Sequence, residues 1–268
     1  MKKKELRGVY PSVKKDGSVY YRVNISYKGK HVSLGSYDDP ITAAAAYKEA
    51  KELYEKTDVG LLNWSTYVHA LPEDKVITIL NHRDNGMYIG KPIYLRGGYF
   101  SYFLKGVGEM KFDNDDLFYY SSHRILVHDG HMYVNDYGMQ YGILARYGIK
   151  NFAVPGKDYT FANGDELDYR YSNIIVINKY HGVTASRKKE IVRHEARIHI
   201  NGEFLIGRFE TDAMAAVAYN KAVDLAVAAG VKKNFIQNYV LEYSPKEYAA
   251  VYTDIRIPKK YLDYLAKL

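Results

Sequence analysis

Apolar and polar residues alternate in two stretches, one near each end of the chain. Residues 21–25 have the sequence Tyr-Arg-Val-Asn-Ile, and residues 196–200 have the sequence Ala-Arg-Ile-His-Ile. A period of two predicts a β-strand with one buried and one exposed face. A glycine-containing turn and a second short apolar run follow each stretch, at 27–34 and 201–206. Each stretch therefore predicts a small antiparallel sheet.

An alanine-rich helix follows each predicted sheet, and the two helices repeat one another. They match at a constant spacing in the pairs Ala43 and Ala215, Ala44 and Ala216, Ala46 and Ala218, Tyr47 and Tyr219, and Ala50 and Ala222. Asp39 and Thr211 are residue types that commonly precede the first turn of a helix. Alignment of the preceding strands places Arg22 opposite Arg197. We therefore expect an α+β fold that contains a three-stranded antiparallel sheet plus helix module twice.

The positive charge of the chain is concentrated at the two modules. The 268 residues carry a net charge of +7 and no cysteine, which excludes disulfides, zinc fingers and thiol nucleophiles. Residues 1–35 contain nine basic against two acidic residues, and residues 179–210 contain seven against four. The stretch between them, 36–178, contains fourteen basic against nineteen acidic residues. This segregation is typical of a chain that binds a polyanion through its ends.

Polar residues of the predicted strands point away from the helix, where they could contact DNA. If Val23, Ile25, Val32 and Leu34 face the helix, arginine and asparagine side chains that can engage guanine and adenine edges lie on the other face. Lysines in the turns would contact phosphates. The predicted DNA-binding residues of the first copy are Arg7, Lys14, Lys15, Tyr21, Arg22, Asn24, Lys28, Lys30, His31 and Ser33. Those of the second copy are Arg187, Lys188, Lys189, Arg193, Arg197 and His199.

Both copies resemble the DNA-binding domain of plant ethylene-response factors, which also occurs in homing endonucleases of bacteriophages and mobile elements. The resemblance rests on the Arg-Gly-Val start at 7–9, the Leu-Gly-x-aromatic element at 34–37, the Ala-Ala-x-Ala-Tyr helix and the closing Asn-aromatic pair at 63–64. It implies a three-stranded sheet laid in the major groove with one helix behind it. The tryptophan that the family has in its strand is replaced by Tyr21 and Ala196, so the base preference of the family does not carry over.

The end of the middle segment, residues 159–178, resembles the ββα-metal core of HNH homing endonucleases. The matching positions are Asn163, Gly164, Leu167, Asp168, Arg170, Asn173 and Ile174, and Ile143-Leu144-Ala145 matches the preceding helix. The Asp-His pair of the family falls on Thr160-Phe161, and its helix histidine falls on Tyr141. Phenylalanine can neither accept a proton nor bind a metal ion. The resemblance therefore implies a degenerate nuclease domain with no catalytic residue, no metal and no cofactor.

These observations predict four regions: a first DNA-binding module at 1–68, a degenerate HNH-like domain at 76–178, a second module at 179–243, and a helical tail at 244–268 that packs back on a module or self-associates. We expect a sequence-specific, non-catalytic protein that binds double-stranded DNA, does not contact membranes, lies in the cytoplasm of a bacterial host and regulates a phage or mobile element. The alternatives are an active metal-dependent HNH endonuclease with His181 as a displaced base, and a scaffold that binds proteins.

Overall fold

A computed structural model describes residues 7–268. In this structure 32% of the residues are helical, and 31% lie in the strands of several small antiparallel sheets. The predicted mixture of helices and antiparallel strands is confirmed. The strands are β1 Val9–Val13, β2 Val19–Tyr27, β3 Lys30–Tyr37, β4 Ile93–Leu95, β5 Tyr99–Leu104, β6 Gly108–Asp113, β7 Ile125–His128, β8 His131–Asp136, β9 Met139–Gly142, β10 Tyr159–Phe161, β11 Ile174–Val176, β12 Val183–Lys188, β13 Ile191–His199 and β14 Glu203–Phe209. The helices are α1 Pro40–Glu55, α2 Glu73–Asn85, α3 Leu117–Ser122, α4 Asp212–Ala228, α5 Pro245–Asp254 and α6 Lys259–Leu265.

The described chain forms two compact units. Unit 1 comprises the described residues up to Tyr141 together with Asp165–Tyr171, and unit 2 comprises Gly142–Gly164 and Ser172–Leu268. Unit 1 contains the sheet β1-β2-β3 with α1, and unit 2 contains the sheet β12-β13-β14 with α4. Each unit therefore contains one of the two repeated modules.

In the first module, strand register is set by a tight turn and by burial of one face. Tyr27 pairs with Lys30, so Lys28 and Gly29 form a two-residue turn, and both have positive φ angles of 45° and 77°. Two positive φ angles give the turn a twist that matches the twist of the flanking strands. The core-facing side chains are fully or almost fully buried, as expected: Val23, Ile25, Val32 and Leu34.

The helices of both modules begin where the sequence predicts. Asp39 precedes α1 and its carboxylate accepts hydrogen bonds from the backbone N–H groups of the first turn, and Thr211 precedes α4 and accepts from Met214 N–H. The repeated alanines are buried or half-buried against the sheets. A Cβ on Gly8 would lie 2.2 Å from the Tyr47 ring. Because the matching contact brings the Tyr219 ring against Gly182, helix and first strand approach closely in both copies.

After α1, the chain is held to that helix by one carboxylate. Glu49 accepts hydrogen bonds from the backbone N–H groups of His69, Ala70 and Leu71, at 2.9 to 3.1 Å. These residues immediately precede Pro72 and α2, whose Val76, Ile79 and Leu80 side chains complete the core of the module. The Glu49 carboxylate thus fixes the path by which α2 reaches that core.

The remainder of unit 1 is built on two small sheets, β4-β5-β6 and β7-β8-β9. The Phe100 and Phe112 rings of the first sheet stack 5.5 Å apart and contact Tyr120 of α3. Asp129 and Gly130 form the two-residue turn between β7 and β8, with φ angles of 49° and 77°. Neither sheet is hydrogen-bonded to β1-β2-β3, but Tyr94 of β4 packs against the core of the first module.

In unit 2, the tail folds back on the second module. The Tyr261 hydroxyl of α6 donates a 2.8 Å hydrogen bond to the Ala222 carbonyl of α4, and the Tyr261 ring contacts Phe204 of β14. Lys221 donates to the carbonyls of Tyr252 and Ile255 at the end of α5. The apolar side of the tail is thereby part of the module core, and self-association through the tail stays a prediction.

Candidate nucleic-acid interface

The face of the first sheet that points away from α1 is polar and carries no carboxylate. The strand register places Arg22 between Tyr10 of β1 and Ser36 of β3, and Asn24 beside Ser33. Since alternate residues of a strand share a face, this set lies opposite the buried Val23. The complete set on this face is Tyr10, Ser12, Tyr20, Arg22, Asn24, Ser26, His31, Ser33 and Ser36. We call it the first sheet face.

The two side chains best suited to contact bases have no partner within residues 7–268. Arg22 is exposed and Asn24 is half-buried, and neither side chain makes a hydrogen bond or ion pair with a described residue. His31 is paired, because its Nδ1 lies 2.9 Å from the Ser26 hydroxyl. Ser33 is exposed beside Asn24. The guanidinium of Arg22 and the amide of Asn24 therefore keep their hydrogen-bonding capacity for a ligand.

The predicted phosphate contacts lie at the two turns of the same module, and those of the β2–β3 turn reach toward rings on the core side of the sheet. Lys28 and Lys30 lie in and beside the β2–β3 turn, and their ammonium groups lie over the rings of Tyr27 and Tyr88, respectively, at 5.2 and 5.3 Å. In the turn between β1 and β2, Lys15 is exposed, whereas Lys14 forms a 3.1 Å ion pair with the exposed Asp38. Arg7 is exposed just before β1. All of these cations belong to the first module and lie outside its core.

Tyr21 does not belong to this face. It is half-buried and packs against the module core, on the same side as Val23 and opposite Tyr37 in the register. The expectation that Tyr21 lies near the DNA-binding residues is therefore replaced by a packing role. The reason is that successive side chains of a strand point to opposite faces. Tyr21 is one residue from Arg22 and so lies on the opposite face, whereas Asn24 is two residues from Arg22 and shares its face.

The second sheet does not repeat the first sheet residue for residue. The Gly8 carbonyl accepts a hydrogen bond from Asn24 N–H, and the equivalent Gly182 carbonyl accepts from Arg197 N–H. Both sheets have a β-bulge at this point, after Val23 in the first and after Ala196 in the second. Asn24 therefore corresponds to Arg197. The sequence alignment of Arg22 with Arg197 is wrong by two residues.

The true counterpart of Arg22 is Glu195, a carboxylate that the sequence comparison missed. Its Oε2 lies 2.8 Å from Arg197 Nη2, and its Oε1 lies 2.8 Å from Arg208 Nε. Hydrogen bonds from Arg208 and Arg197 lower the pKa of Glu195 below its ordinary value, so it is charged at neutral pH. The sequence did contain a signal for the correct alignment. If Arg22 corresponds to Glu195, the β2–β3 and β13–β14 hairpins differ in length by one residue, whereas the alignment of Arg22 with Arg197 requires a difference of three residues.

Every arginine on the polar face of the second sheet takes part in an ion pair. We call this face the second sheet face, and it comprises Arg193, Glu195, Arg197, His199, Glu203, Leu205 and Arg208. Arg193 Nη1 lies 3.0 Å from Glu210, and Arg197 Nη1 lies 3.4 Å from Glu203. The His199 carbonyl accepts a 2.8 Å hydrogen bond from Lys233. The three arginines of this face are matched by glutamates, in contrast to the first sheet face.

The remaining predicted residues of the second module lie at the tip of the β12–β13 hairpin. Lys188 pairs with Ile191, so Lys189 and Glu190 form the turn, with Lys189 at a φ of 57°. Arg187, Lys188 and Lys189 are exposed. This basic tip corresponds in position to the β1–β2 turn with Lys14 and Lys15, so exposed cations at the hairpin tip are common to both modules.

The nuclease-like segment forms a hairpin. β10 pairs with β11, with Phe161 opposite Ile174, and Asn173 accepts a hydrogen bond from Asn163 N–H. The segment matched to the preceding family helix is a short 3-10 helix at Ile143–Tyr147. No helix lies between β11 and β12. The helix that a ββα arrangement would have directly after its second strand is therefore not found at this position of the described chain.

Two candidate groups for a displaced catalytic centre lie near this hairpin. Asp158 is buried and forms a 2.9 Å ion pair with Lys150. Burial raises the pKa of Asp158, but hydrogen bonds from Lys150 and from Val154 N–H outweigh it, and the net shift is downward. Burial, followed by the charge of Lys150, lowers the pKa of the half-buried His181. No group of three or more histidine, aspartate or glutamate side chains among residues 7–268 is arranged to hold a metal ion.

Comparisons of the chain with protein-family models, curated proteins and solved structures find no match. Within the described part of the chain, no helix combines the length and the apolar character needed to cross a membrane.

Proposed function

We propose that this protein binds double-stranded DNA in a sequence-specific manner and that the first sheet face makes the base contacts. The observation that supports this most directly is the pair Arg22 and Asn24, whose side chains have no partner among residues 7–268 and lie on a strand face without a carboxylate. Arginine recognises guanine and asparagine recognises adenine through paired hydrogen bonds in the major groove. In this proposal, lysines at both turns of the same module contact phosphates and fix the register on the duplex.

The two modules contribute unequally in this proposal. On the second sheet face a phosphate or base would have to compete with Glu195 for Arg197 and Arg208. At the basic hairpin tip, Arg187, Lys188 and Lys189 form no ion pair with another residue in 7–268, although Glu190 lies in the same turn, and this supports a phosphate contact. The first module therefore supplies most of the specificity, and the second adds sequence-independent affinity through its tip.

We further propose that the protein is a non-catalytic relative of HNH homing endonucleases that regulates a phage or mobile element in the bacterial cytoplasm, with two modules flanking a degenerate nuclease core. Phe161 at the position of the family histidine supports the loss of catalysis. The contacts of Asp158 also support it, because the Lys150 ammonium group holds one carboxylate oxygen and the Val154 N–H donates to the other.

The test is selection of bound DNA from a random pool, followed by affinity measurements on the selected site. Arg22→Ala should weaken specific binding by about 1–3 kcal/mol and relax the preference at one base pair. Arg124→Ala is the matched control, since Arg124 is an exposed arginine of the same unit outside the module. Equal affinities of the two variants would contradict base recognition by the first sheet face.

A nicking assay addresses the loss of catalysis separately. Supercoiled plasmid that contains the selected site is incubated with the protein and Mg²⁺ or Mn²⁺, and we expect no cleavage. Cleavage that His181→Ala abolishes would contradict the non-catalytic proposal and would identify His181 as a general base.

A further inference from the structure

A cavity within unit 2 is separate from the first sheet face and has the size of a small-molecule site. Its volume is about 470 Å³, within the range of roughly 300–1,000 Å³ that is common for ligand pockets. Its walls are the 150–158 loop, the start of β12, the end of β13 and the segment 233–236 that follows α4. Residues distant in sequence therefore converge on one concave surface inside one unit.

The cavity has an excess of positive charge. Lys150, Lys157, Arg197 and Lys233 line it, against two carboxylates, Asp158 and Glu203. Lys150 is paired with Asp158, and Arg197 is paired with Glu203 and with a glutamate outside the cavity. Lys157 and Lys233 form no ion pair with any residue in 7–268. Lys233 is oriented by its 2.8 Å hydrogen bond to the His199 carbonyl. The nearby carboxylate of Asp158 is already paired with Lys150, so among residues 7–268 neither Lys157 nor Lys233 has a carboxylate partner of its own.

An exposed aromatic ring stands at the edge of the same cavity. Phe152 is 87% exposed, although it lines the cavity, and its backbone has a φ of 61°. This conformation is costly for a residue with a side chain, and such strain often occurs at ligand-binding positions. Phe235 contributes a second, half-buried ring. A flat aromatic group could stack on the exposed Phe152 ring.

We propose that this cavity binds a nucleotide, with the phosphate held by Lys157 and Lys233 and the base against Phe152. Ammonium groups without carboxylate partners bind a phosphate ester, and an exposed ring accepts the face of a base regardless of its identity. The nucleotide is either free or part of a nucleic-acid strand. The proposal does not depend on base recognition by the first sheet face, because the cavity residues belong to the other unit.

Isothermal titration calorimetry of the full chain tests the proposal with four probes: adenosine 5′-monophosphate, adenosine, inorganic phosphate and a short single-stranded oligodeoxynucleotide. The monophosphate or the oligonucleotide should bind, and adenosine should bind at least about tenfold more weakly. Binding by the monophosphate assigns the site to a free nucleotide, whereas binding by the oligonucleotide alone assigns it to a strand. Failure of both to bind, or equal binding of adenosine and its monophosphate, would overturn the proposal.

Variants locate the binding in the cavity. Lys157→Gln with Lys233→Gln should weaken binding of the preferred probe by at least about tenfold. The control is Lys259→Gln with Lys260→Gln, which removes the same charge from two exposed positions at the start of α6, outside the cavity and outside the proposed DNA contacts. An equal loss in both double variants would show nonspecific attraction and refute the assignment. Thermal melting verifies that both double variants are folded.

A further variant separates the base contact from the phosphate contact. Phe152→Ala should weaken binding of the base-bearing probe about fivefold or more and leave any affinity for inorganic phosphate unchanged. An unchanged affinity for the nucleotide would refute the stacking contact. Arg22 does not line the cavity, so the double variant of Lys157 and Lys233 should still shift selected DNA in a gel. A normal gel shift would show that the proposed function is intact, so a failure of nucleotide binding would count against the cavity proposal alone.

Discussion

Replacement of Glu195 by glutamine should strengthen DNA binding by the second module, although it removes a well-formed ion-pair network. Glu195 contacts Arg197 and Arg208 at 2.8 Å, and its side chain is only 13% exposed. Glutamine keeps the size of the side chain and one acceptor oxygen, but removes the charge that holds both guanidinium groups. The second sheet face then gains one positive charge, Arg208 loses its carboxylate partner, and Arg197 keeps only its longer contact with the exposed Glu203.

The size of the effect follows from Coulomb's law. One unit charge about 7 Å from a phosphate in water contributes about 0.6 kcal/mol. Screening at physiological salt reduces it, and a second phosphate within reach roughly restores it. We therefore expect a gain of about 0.5–1 kcal/mol, or about two- to fivefold in affinity. Each new phosphate contact should also steepen the slope of log affinity against log salt concentration by about 0.9.

The assay is fluorescence anisotropy with a labelled duplex at several salt concentrations. Glu166→Gln is the control, because Glu166 is exposed and lies in unit 1, so the substitution changes the overall charge equally without touching the second sheet face. Identical affinity and salt slope in both variants would refute contact between this face and DNA. A weaker affinity of the Glu195 variant would refute the neutralising role and would show that Glu195 holds the arginines in their binding geometry.

Three further predictions concern stability. Glu49→Gln should lower the free energy of unfolding by about 1.5–3 kcal/mol in urea titrations, because three amide N–H groups lose a charged acceptor. The control, Glu52→Gln on the exposed side of α1, should change the free energy of unfolding by less than about 1 kcal/mol. Equal effects of the two substitutions would contradict the role of Glu49 in holding the segment before α2. Gly8→Ala should destabilise by at least about 2 kcal/mol, because its Cβ would lie 2.2 Å from a tyrosine ring, and Gly29→Ala, where that position is open, should cost less. Burial lowers the pKa of His82 below its ordinary 6.5, so the folded state disfavours protonation of this histidine. The stability present above about pH 6.5 should therefore fall as the pH is lowered toward 5. His82→Gln should flatten this pH dependence, and an unchanged slope of stability against pH would refute the assignment to His82.

The local elements could be predicted from the sequence because short-range chemistry determines them. Asp39 and Thr211 cap the helices, and the buried alternation of Val23 and Ile25 follows from a period of two. Each of these signals lies within a few residues of the element that it predicts. The same holds for the two-residue turn at 129–130, where an Asp-Gly pair adopts two positive φ angles.

The registration of one copy on the other could not be predicted in the same way. Arg-apolar pairs occur at Arg22 and at Arg197, and a period-two pattern looks the same after a shift of two residues. The correspondence is fixed by the β-bulges against the third strand and by the backbone hydrogen bonds to the Gly8 and Gly182 carbonyls, and no alternation of side chains records either feature. The contact of Glu195 with Arg208 likewise depends on pairing between separate strands.

The hydrogen bonds of Glu49 have a practical consequence for isolating the first module. The sequence places the end of this module at residue 68, immediately before the three amides of His69, Ala70 and Leu71 that Glu49 binds. A fragment cut at that point would keep the half-buried carboxylate and discard its donors, and it would also lack α2, whose side chains close the core. Expression of the first module alone should therefore extend through Asn85, the last residue of α2.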